Sequence, residues 1–349
     1  MAFQYETVNS GCMSTHYHAR SLKKILNNPD NVVSEMLRGI EIAHPAVKYL
    51  PGVEVIARKD PDKSKVALIS GGGSGHEPSH AGYVGYGMLD AAVAGNVFAS
   101  PSPDRILAAI HEVAGEAGVL LIIKNYSGDI MNFGMAAELA EMEGCKVMSV
   151  VTKDDVAVPD STYSTGRRGI AGTVFVHKIA GAAAEAGRSL EQVHDIAQKV
   201  IDNTRSMGTA LSPCILPGVG KPGFVLGDDE MEIGMGIHGE PGVERSGIKT
   251  AHELAEILCE RILADLDYIG SEVAVMINGL GGTPLMELYV LTAEVDALLK
   301  AKGVRPYRYY VGNFMTSLEM AGCSVSLLRL DEEMKVFLNA GTGAAAWKE

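Results

Sequence analysis

Residues 66–78 read VALISGGGSGHEP, and this stretch carries the main prediction of fold class. Its first five residues are mostly apolar, which is typical of a buried strand that here enters a glycine loop. Two later runs, VLLII at 119–123 and VMSVVT at 147–152, have the same character. Helical patterns lie between the runs, at Pro103–Val113 and at 133–142. Apolar strands that alternate with helices predict a parallel α/β sheet with helices on both faces.

The pattern changes after Met207. Residues 171–206 read as mostly helical, and three strand-like pieces then mix with two helices, at 232–237, 272–278, 323–328, 250–265 and 285–300. We therefore expect an N-terminal α/β domain with the glycine loop at 21–205 and a second α/β or α+β domain at 206–349. Residues 1–20 are polar and aperiodic, and we expect them to form a mobile N-terminal extension.

The composition argues against several classes of protein. The 349 residues are 47% hydrophobic and 21% charged, as in ordinary globular proteins. The net charge of −13 repels phosphate backbones, so no nucleic-acid partner is expected. No apolar run reaches ~18 residues, so no membrane span is expected either. The five cysteines are widely spaced without a CxxC pair, which favours a reducing compartment and predicts a cytoplasmic protein.

The glycine loop at 70–78 matches none of the common phosphate-binding or nucleophile motifs. GxGxxG and GxSxG both fail at His76, and no Walker A lysine follows. HExxH is present at His76 and His80, but Pro78 lies between them and leaves His76 off any helical face. A zinc hydrolase is kept as an alternative, although no metal site is predicted. The N–H groups of such a loop can point at a ligand oxygen, and a plain strand-to-helix turn is the structural alternative.

A second polar loop, KNYSGD at 124–129, directly follows an apolar run. Ligands of parallel sheets lie beyond the carboxyl ends of the strands. We therefore expect Lys124, Asp129 and His76 to emerge at the same edge of the sheet. A solvated loop is the alternative interpretation.

A third loop, GMGIHGEPG at 234–242, places His238 between glycines. A neutral imidazole can act as a base, a nucleophile or a ligand. A lone histidine is also often structural, and this loop alone leaves the two interpretations open.

Together and in this order, the loops resemble those of the dihydroxyacetone-binding subunits of dihydroxyacetone kinases, in particular the bacterial phosphoenolpyruvate-dependent type with split subunits. The resemblance covers roughly residues 22 to 349. It lies in five stretches, LISGGGSGHEPSHAGYVGYGML, GVLLIIKNYSGDIMNF, VAVPDSTYSTGRRGIAGTV, GIHGEPG and GGTPLMELY.

The resemblance implies a role for each site residue. His238 would hold the ketose covalently as a hemiaminal, and His76 and Asp129 would serve in catalysis, with the choice of base between them left open. The residues implied to bind substrate are Gly73, Ser74, Gly75, His76, Lys124, Asp129 and His238.

The resemblance also implies that this chain binds no cofactor itself. A separate subunit would carry ATP or ADP with magnesium, and a phosphotransferase relay would recharge that nucleotide in bacterial systems. A homodimer is expected from the family. The alternatives are a dihydroxyacetone-binding coactivator that acts on a transcription regulator, and a kinase subunit for a related short ketose.

Overall fold

The computed structural model describes residues 23–159 and 166–348. The expected extension at 1–20 lies outside the described residues. The described part contains two six-stranded sheets with helices packed against them. No described helix has the length and hydropathy needed to cross a bilayer.

The first sheet has the strand order β1-β2-β4-β3-β5-β6, in which β2 alone runs opposite to the other five strands. The strands are β1 Val47–Leu50, β2 Val55–Arg58, β3 Ala67–Ser74, β4 Ala91–Val97, β5 Val119–Lys124 and β6 Val147–Thr152. The three predicted strands, β3, β5 and β6, are confirmed as parallel neighbours. β4 and the antiparallel pair β1 and β2 were not predicted. β3 also continues through the glycines that were expected to form a loop, because Gly71–Gly73 pair with β4.

Helices cover both faces of the first sheet, as predicted. They are α1 Val32–Ala43, α2 Pro103–Val113, α3 Ser127–Met142, α4 Thr173–Glu185 and α5 Leu190–Asp202. Successive side chains of β5 point to opposite faces. Leu120 and Ile122 join one apolar cluster with α4 and α5, whereas Leu121 joins another with α2 and α3.

The second sheet is mostly antiparallel, with the order β11-β10-β12-β7-β8-β9. Its strands are β7 Thr204–Ala210, β8 Glu230–Ile233, β9 Glu244–Gly247, β10 Glu272–Gly279, β11 Arg305–Gly312 and β12 Gly322–Leu330. Three helices accompany it, α6 Ala251–Asp265, α7 Leu285–Ala301 and α8 Glu332–Leu338. The fold class, a largely parallel α/β part followed by an α+β part, is as predicted, while the division into two domains near residue 205 stays a prediction.

One apolar cluster extends from one sheet into the other. It joins Leu120 and Ile122 of β5 with Met276 of β10 and Tyr310 of β11. Because this cluster is continuous, the loops at the ends of β3 and β5 lie against loops of the second sheet. The site described next is built between them.

Candidate active site

His76 lies directly beyond β3 and is fully buried. Its Nδ1–H donates to the backbone carbonyl of Thr316, 2.7 Å away, in a loop that precedes β12. Gly75, just before it, has a φ of +103°, a left-handed conformation that favours glycine. The sheet edge and the Thr316 carbonyl therefore fix both the position and the tautomer of this ring.

His238 comes from the loop after β8 and meets His76 directly. The two Nε2 atoms are 3.0 Å apart. On the other side of the ring, His238 Nδ1 lies 3.0 Å from Glu240 Oε1. The second carboxylate oxygen of Glu240 accepts the backbone N–H of His238, also at 3.0 Å. Sequence reasoning missed Glu240, although the GIHGEPG stretch contains it two residues after the histidine.

The hydrogen bonds of the two rings determine how many protons they carry. The Thr316 carbonyl and the Glu240 carboxylate can only accept, so both Nδ1 atoms carry protons. The contact between the two Nε2 atoms needs one more proton, because two lone pairs facing each other would repel. Three protons on four ring nitrogens make one of the two histidines a cation.

The hydrogen-bond partners place the third proton on His238, because its ring faces a carboxylate whereas the His76 ring faces a backbone carbonyl. Burial, followed by the charges of His238 and Lys124, lowers the pKa of His76 well below its ordinary value, so His76 is neutral. Burial alone would raise the pKa of Glu240, but the hydrogen bond and charge of His238 outweigh it and lower this pKa to about 2. A carboxylate therefore faces the His238 ring, and His238 Nε2–H donates to His76.

Two aromatic rings enclose the histidine pair. Phe98 stacks on His76 with ring centroids 5.2 Å apart and meets His238 edge-on at 5.3 Å. Tyr126 contacts the His238 ring edge-on at 4.6 Å. Phe98 has a φ of +58°, a strained conformation for a residue with a side chain. No sequence signal pointed to Phe98, because its role depends on contacts with distant residues.

Lys124 and Asp129 form a second pair, joined to the first through Tyr126. The Lys124 ammonium lies 3.5 Å from Asp129 Oδ2 and 6.0 Å from the centre of the Tyr126 ring. Ser100 Oγ donates to the other carboxylate oxygen of Asp129. A Cβ atom at Gly72 would collide with Lys124 Nζ, so only glycine leaves room for the ammonium group.

Asp129 does not lie in a loop, as the sequence led us to expect. α3 begins at Ser127, six residues before the predicted start, and Asp129 occupies its first turn. Two glycines inside this helix weaken its sequence signal. The positive end of the helix dipole favours a carboxylate at this position.

The segment Gly73, Ser74 and Gly75 runs past the histidine pair, but the Ser74 hydroxyl is already engaged. It donates to the backbone carbonyl of Gly95 at 2.7 Å and ties β3 to β4. A contact between this segment and substrate would therefore involve its backbone, and it stays a prediction.

His80, the second histidine of the HExxH pattern, has different partners from His76. Its Nε2 lies 3.2 Å from Lys124 Nζ, and its Nδ1 lies 2.9 Å from His177 Nε2. Within residues 23–159 and 166–348, no group of three or more His, Cys, Asp or Glu side chains is arranged to hold a metal ion. The arrangement gives the zinc alternative no support.

The fold and this arrangement define an α/β protein in which two histidines from loops of different sheets meet beside a buried lysine–aspartate pair. The family model of the Dak1 domain matches residues 38–346, so the chain belongs to this family, as its loops predicted.

Three known proteins illustrate the relationship. The dihydroxyacetone-binding subunit DhaK of the PTS-dependent dihydroxyacetone kinase 1 of Listeria innocua is 54% identical over 329 residues, which cover 93% of this chain and 100% of that protein. The solved structure of the dihydroxyacetone kinase operon co-activator Dha-DhaQ is 39% identical, with a TM-score of 0.86 over 90% of this chain and 97% of that one. The dihydroxyacetone kinase from C. freundii, solved in complex with AMP-PNP and Mg2+, is 40% identical, with a TM-score of 0.86 over 93% of this chain but only 60% of that longer one.

Proposed function

We propose that this chain is the dihydroxyacetone-binding subunit of a dihydroxyacetone kinase, a phosphotransferase, and that it holds its substrate as a hemiaminal on His238. The observation that carries the proposal is the 3.0 Å contact between the Nε2 atoms of His238 and His76, with Glu240 on the far side of the His238 ring. A relative 54% identical over its whole length bears this function in its name.

The addition step uses only groups that already touch. His76 Nε2 takes the proton from His238 Nε2, which exposes the lone pair of that nitrogen. The lone pair attacks the carbonyl carbon of the ketose, an N–C bond forms, and the C=O π electrons move to oxygen. His76 returns its proton to this oxygen and gives a neutral hydroxyl group. The His238 ring is a cation before and after the step, so the Glu240 carboxylate balances its charge throughout.

Covalent binding explains how a small site selects a ketone. Glycerol has nearly the same size and the same terminal hydroxyl groups, but it has no carbonyl carbon for His238 to attack. A site that relied on hydrogen bonds alone would discriminate weakly between two such similar polar molecules. The adduct therefore supplies the selectivity, and it admits other short hydroxyketones to the extent that they fit.

Asp129 is the base for the hydroxyl group that is phosphorylated. His76 is fully buried, and its one free nitrogen is occupied by His238. The Asp129 carboxylate is held by Ser100 on one oxygen and faces the Lys124 ammonium with the other. Lys124 is then placed to orient the terminal hydroxyl while Asp129 accepts its proton.

The phosphoryl group comes from ATP or ADP with magnesium on a separate subunit, recharged through a phosphotransferase relay. The helix α3 supports a docking position for that subunit beside the site. Its first turn carries Asp129, and its outer side exposes Met131, Met135 and Met142, which are 62%, 49% and 84% exposed. Exposed apolar side chains in a row are typical of protein interfaces, and methionine adapts to varied partners.

We also propose that the protein forms a homodimer and resides in the cytoplasm. The outer edge of β11 and the neighbouring face of α7 expose Tyr307, Met286 and Tyr289, a suitable surface for a second copy. The described cysteines are free thiols, as expected in a reducing compartment. Sedimentation of the purified protein measures the oligomeric state directly.

Native mass spectrometry with dihydroxyacetone tests the central claim. The wild-type chain should gain one ketose, His238→Ala should gain none, and His252→Ala, which removes an exposed surface histidine, should behave as wild type. An adduct of the same occupancy on His238→Ala would show that another residue is the nucleophile.

Reconstitution distinguishes the kinase subunit from a coactivator. The chain alone should not phosphorylate dihydroxyacetone with ATP and magnesium, whereas addition of a nucleotide-bearing subunit should give turnover. Turnover by the chain alone would refute the split enzyme. Normal adduct formation without turnover in any reconstitution would favour the coactivator, and a panel of short ketoses identifies the preferred substrate.

A further inference from the structure

Two histidines that the proposed chemistry does not use lie in line behind Lys124. His80 follows the glycine segment and is 6% exposed, and His177 lies on α4 and is fully buried. Lys124 Nζ is 3.2 Å from His80 Nε2, and His80 Nδ1 is 2.9 Å from His177 Nε2. The three side chains form a polar line that runs from the site into the apolar core of the first sheet.

The surroundings of Lys124 set the direction of these hydrogen bonds. Its ammonium group has three protons and three acceptors around it, the Gly71 carbonyl at 3.1 Å, Asp129 Oδ2 at 3.5 Å and His80 Nε2. His80 must therefore present a lone pair at Nε2 and carry its proton at Nδ1. That proton is donated to His177 Nε2. Only one tautomer of His80 satisfies both neighbours.

The side chains of Lys124, His80 and His177 do not form a path along which a proton could leave the protein. Among the described residues, His177 Nδ1 is buried and has no hydrogen-bond partner. Burial lowers the pKa of His80 well below its ordinary value, with a contribution from Lys124, and the same causes lower that of His177 to about 3. Two neutral rings that end at an unpartnered nitrogen cannot relay a proton onward, so their effect must be on the position of Lys124.

We propose that His80 and His177 are positioning residues for the site: His177 accepts the Nδ1 proton of His80 and so orients its ring, and His80 holds the Lys124 ammonium beside Asp129. This inference rests on the proposed function, in which Lys124 orients the hydroxyl of the ketose. A buried polar side chain without a full set of hydrogen-bond partners destabilises a protein core. Placement of the flexible Lys124 side chain gives a functional reason for the presence of the two buried histidines despite this cost. On the opposite side, the missing side chain of Gly72 leaves room for the ammonium group.

The test uses two substitutions at one position, measured with the reconstituted kinase. His177→Leu removes the acceptor for His80 Nδ1–H, and the KM for dihydroxyacetone should rise roughly five- to tenfold, about the value of one hydrogen bond. His177→Gln offers an amide oxygen to the same proton and should restore KM to within about twofold of wild type. His252→Leu, on the surface, controls for the loss of a histidine.

Nitrogen-15 NMR of the histidine rings gives a readout that a purely structural role would not change. Wild-type His80, identified by the signals lost in His80→Asn, should be protonated at Nδ1, and in His177→Leu the signal of this proton should move upfield because its hydrogen bond is lost. Protonation of wild-type His80 at Nε2, or a normal KM in a folded His177→Leu, would overturn the proposal. The tautomer is measurable without substrate, so a failure of wild type to form an adduct or turn over would contradict the proposed function alone.

Discussion

Replacing Glu240 with glutamine should weaken the His238 adduct roughly 10- to 100-fold. The two oxygens of Glu240 accept two N–H groups of His238, one from the ring and one from the backbone, each at 3.0 Å. Glutamine has one oxygen and one NH2 group. One of the two N–H groups would therefore face a donor instead of an acceptor. The free ring can turn away from that donor, whereas the adduct locks the ring beside it, so the loss falls mainly on the adduct.

The magnitude follows from the hydrogen bond between the carboxylate and the ring. A hydrogen bond to a charged group contributes about 1.5–3 kcal/mol, which is roughly 10- to 150-fold in an equilibrium constant. Although burial raises the pKa of Glu240, the hydrogen bond and charge of His238 lower it to about 2, so this contact is favourable in the free protein. The Glu240 side chain is 33% exposed, and solvent screening therefore keeps the loss below the upper end of this range.

Titration with dihydroxyacetone at neutral pH, followed by native mass spectrometry, measures the adduct. Glu244→Gln is the matched control, because Glu244 lies on the nearby strand β9 and is exposed. Adduct affinity within twofold of wild type for Glu240→Gln would refute the role of Glu240. An equal loss in both variants would show that the effect is not specific to the carboxylate beside His238.

The other predictions concern chemistry, ring packing, pH and docking. Asp129→Asn should slow phosphoryl transfer roughly 10²- to 10⁴-fold in the reconstituted assay and leave the adduct measurable; a normal rate would remove Asp129 from the chemistry. Phe98→Leu should slow adduct formation roughly 2- to 10-fold in stopped-flow mixing, because the stacked ring is lost, and an unchanged rate contradicts its positioning role. The pKa of His177 is about 3 in the folded chain, below its unfolded value of 6.5. At pH values between these two, His177 binds a proton only in the unfolded chain. Its contribution to stability is therefore lost as pH falls below 6.5. Urea unfolding from pH 6.5 to 5 should therefore show a slope shallower by about 1.4 kcal/mol per pH unit in His177→Leu than in wild type, and parallel slopes would contradict this. Met135→Glu should weaken binding of the nucleotide-bearing subunit roughly tenfold by calorimetry without affecting the adduct; unchanged binding would place the docking surface elsewhere.

The part of the fold that could be predicted is the part with long apolar runs. β5 carries five apolar residues in a row and is buried along its whole length, because both faces of the parallel sheet are covered there. β1 and β2 have four residues each, too short for a recognisable period, and they were missed. The start of α3 was placed too late because its first turns are rich in glycine and polar residues.

Site residues could be predicted only where they lie together in one contiguous stretch of the sequence. The loops with His76 and His238 were identified from their amino-acid sequences, although 162 residues separate the two histidines. Phe98, Thr316 and His177 act through contacts with residues far along the chain. No local pattern marks a residue whose only function is to contact another, and such residues appear only when the fold is known.

The continuous apolar cluster between the two sheets has a consequence for the abundance of the protein in the cell. The proposed nucleophile His238 lies in a loop after β8 of the second sheet, whereas His76, Lys124 and Asp129 belong to the first, so a ketose bound as proposed would bridge the two. Substrate then stabilises the whole folded chain, by about 2.7 kcal/mol at a concentration one hundred times Kd. A chain that lacks substrate opens more often and is exposed longer to proteases. The supply of ketose would thus control the abundance of this subunit as well as its occupancy.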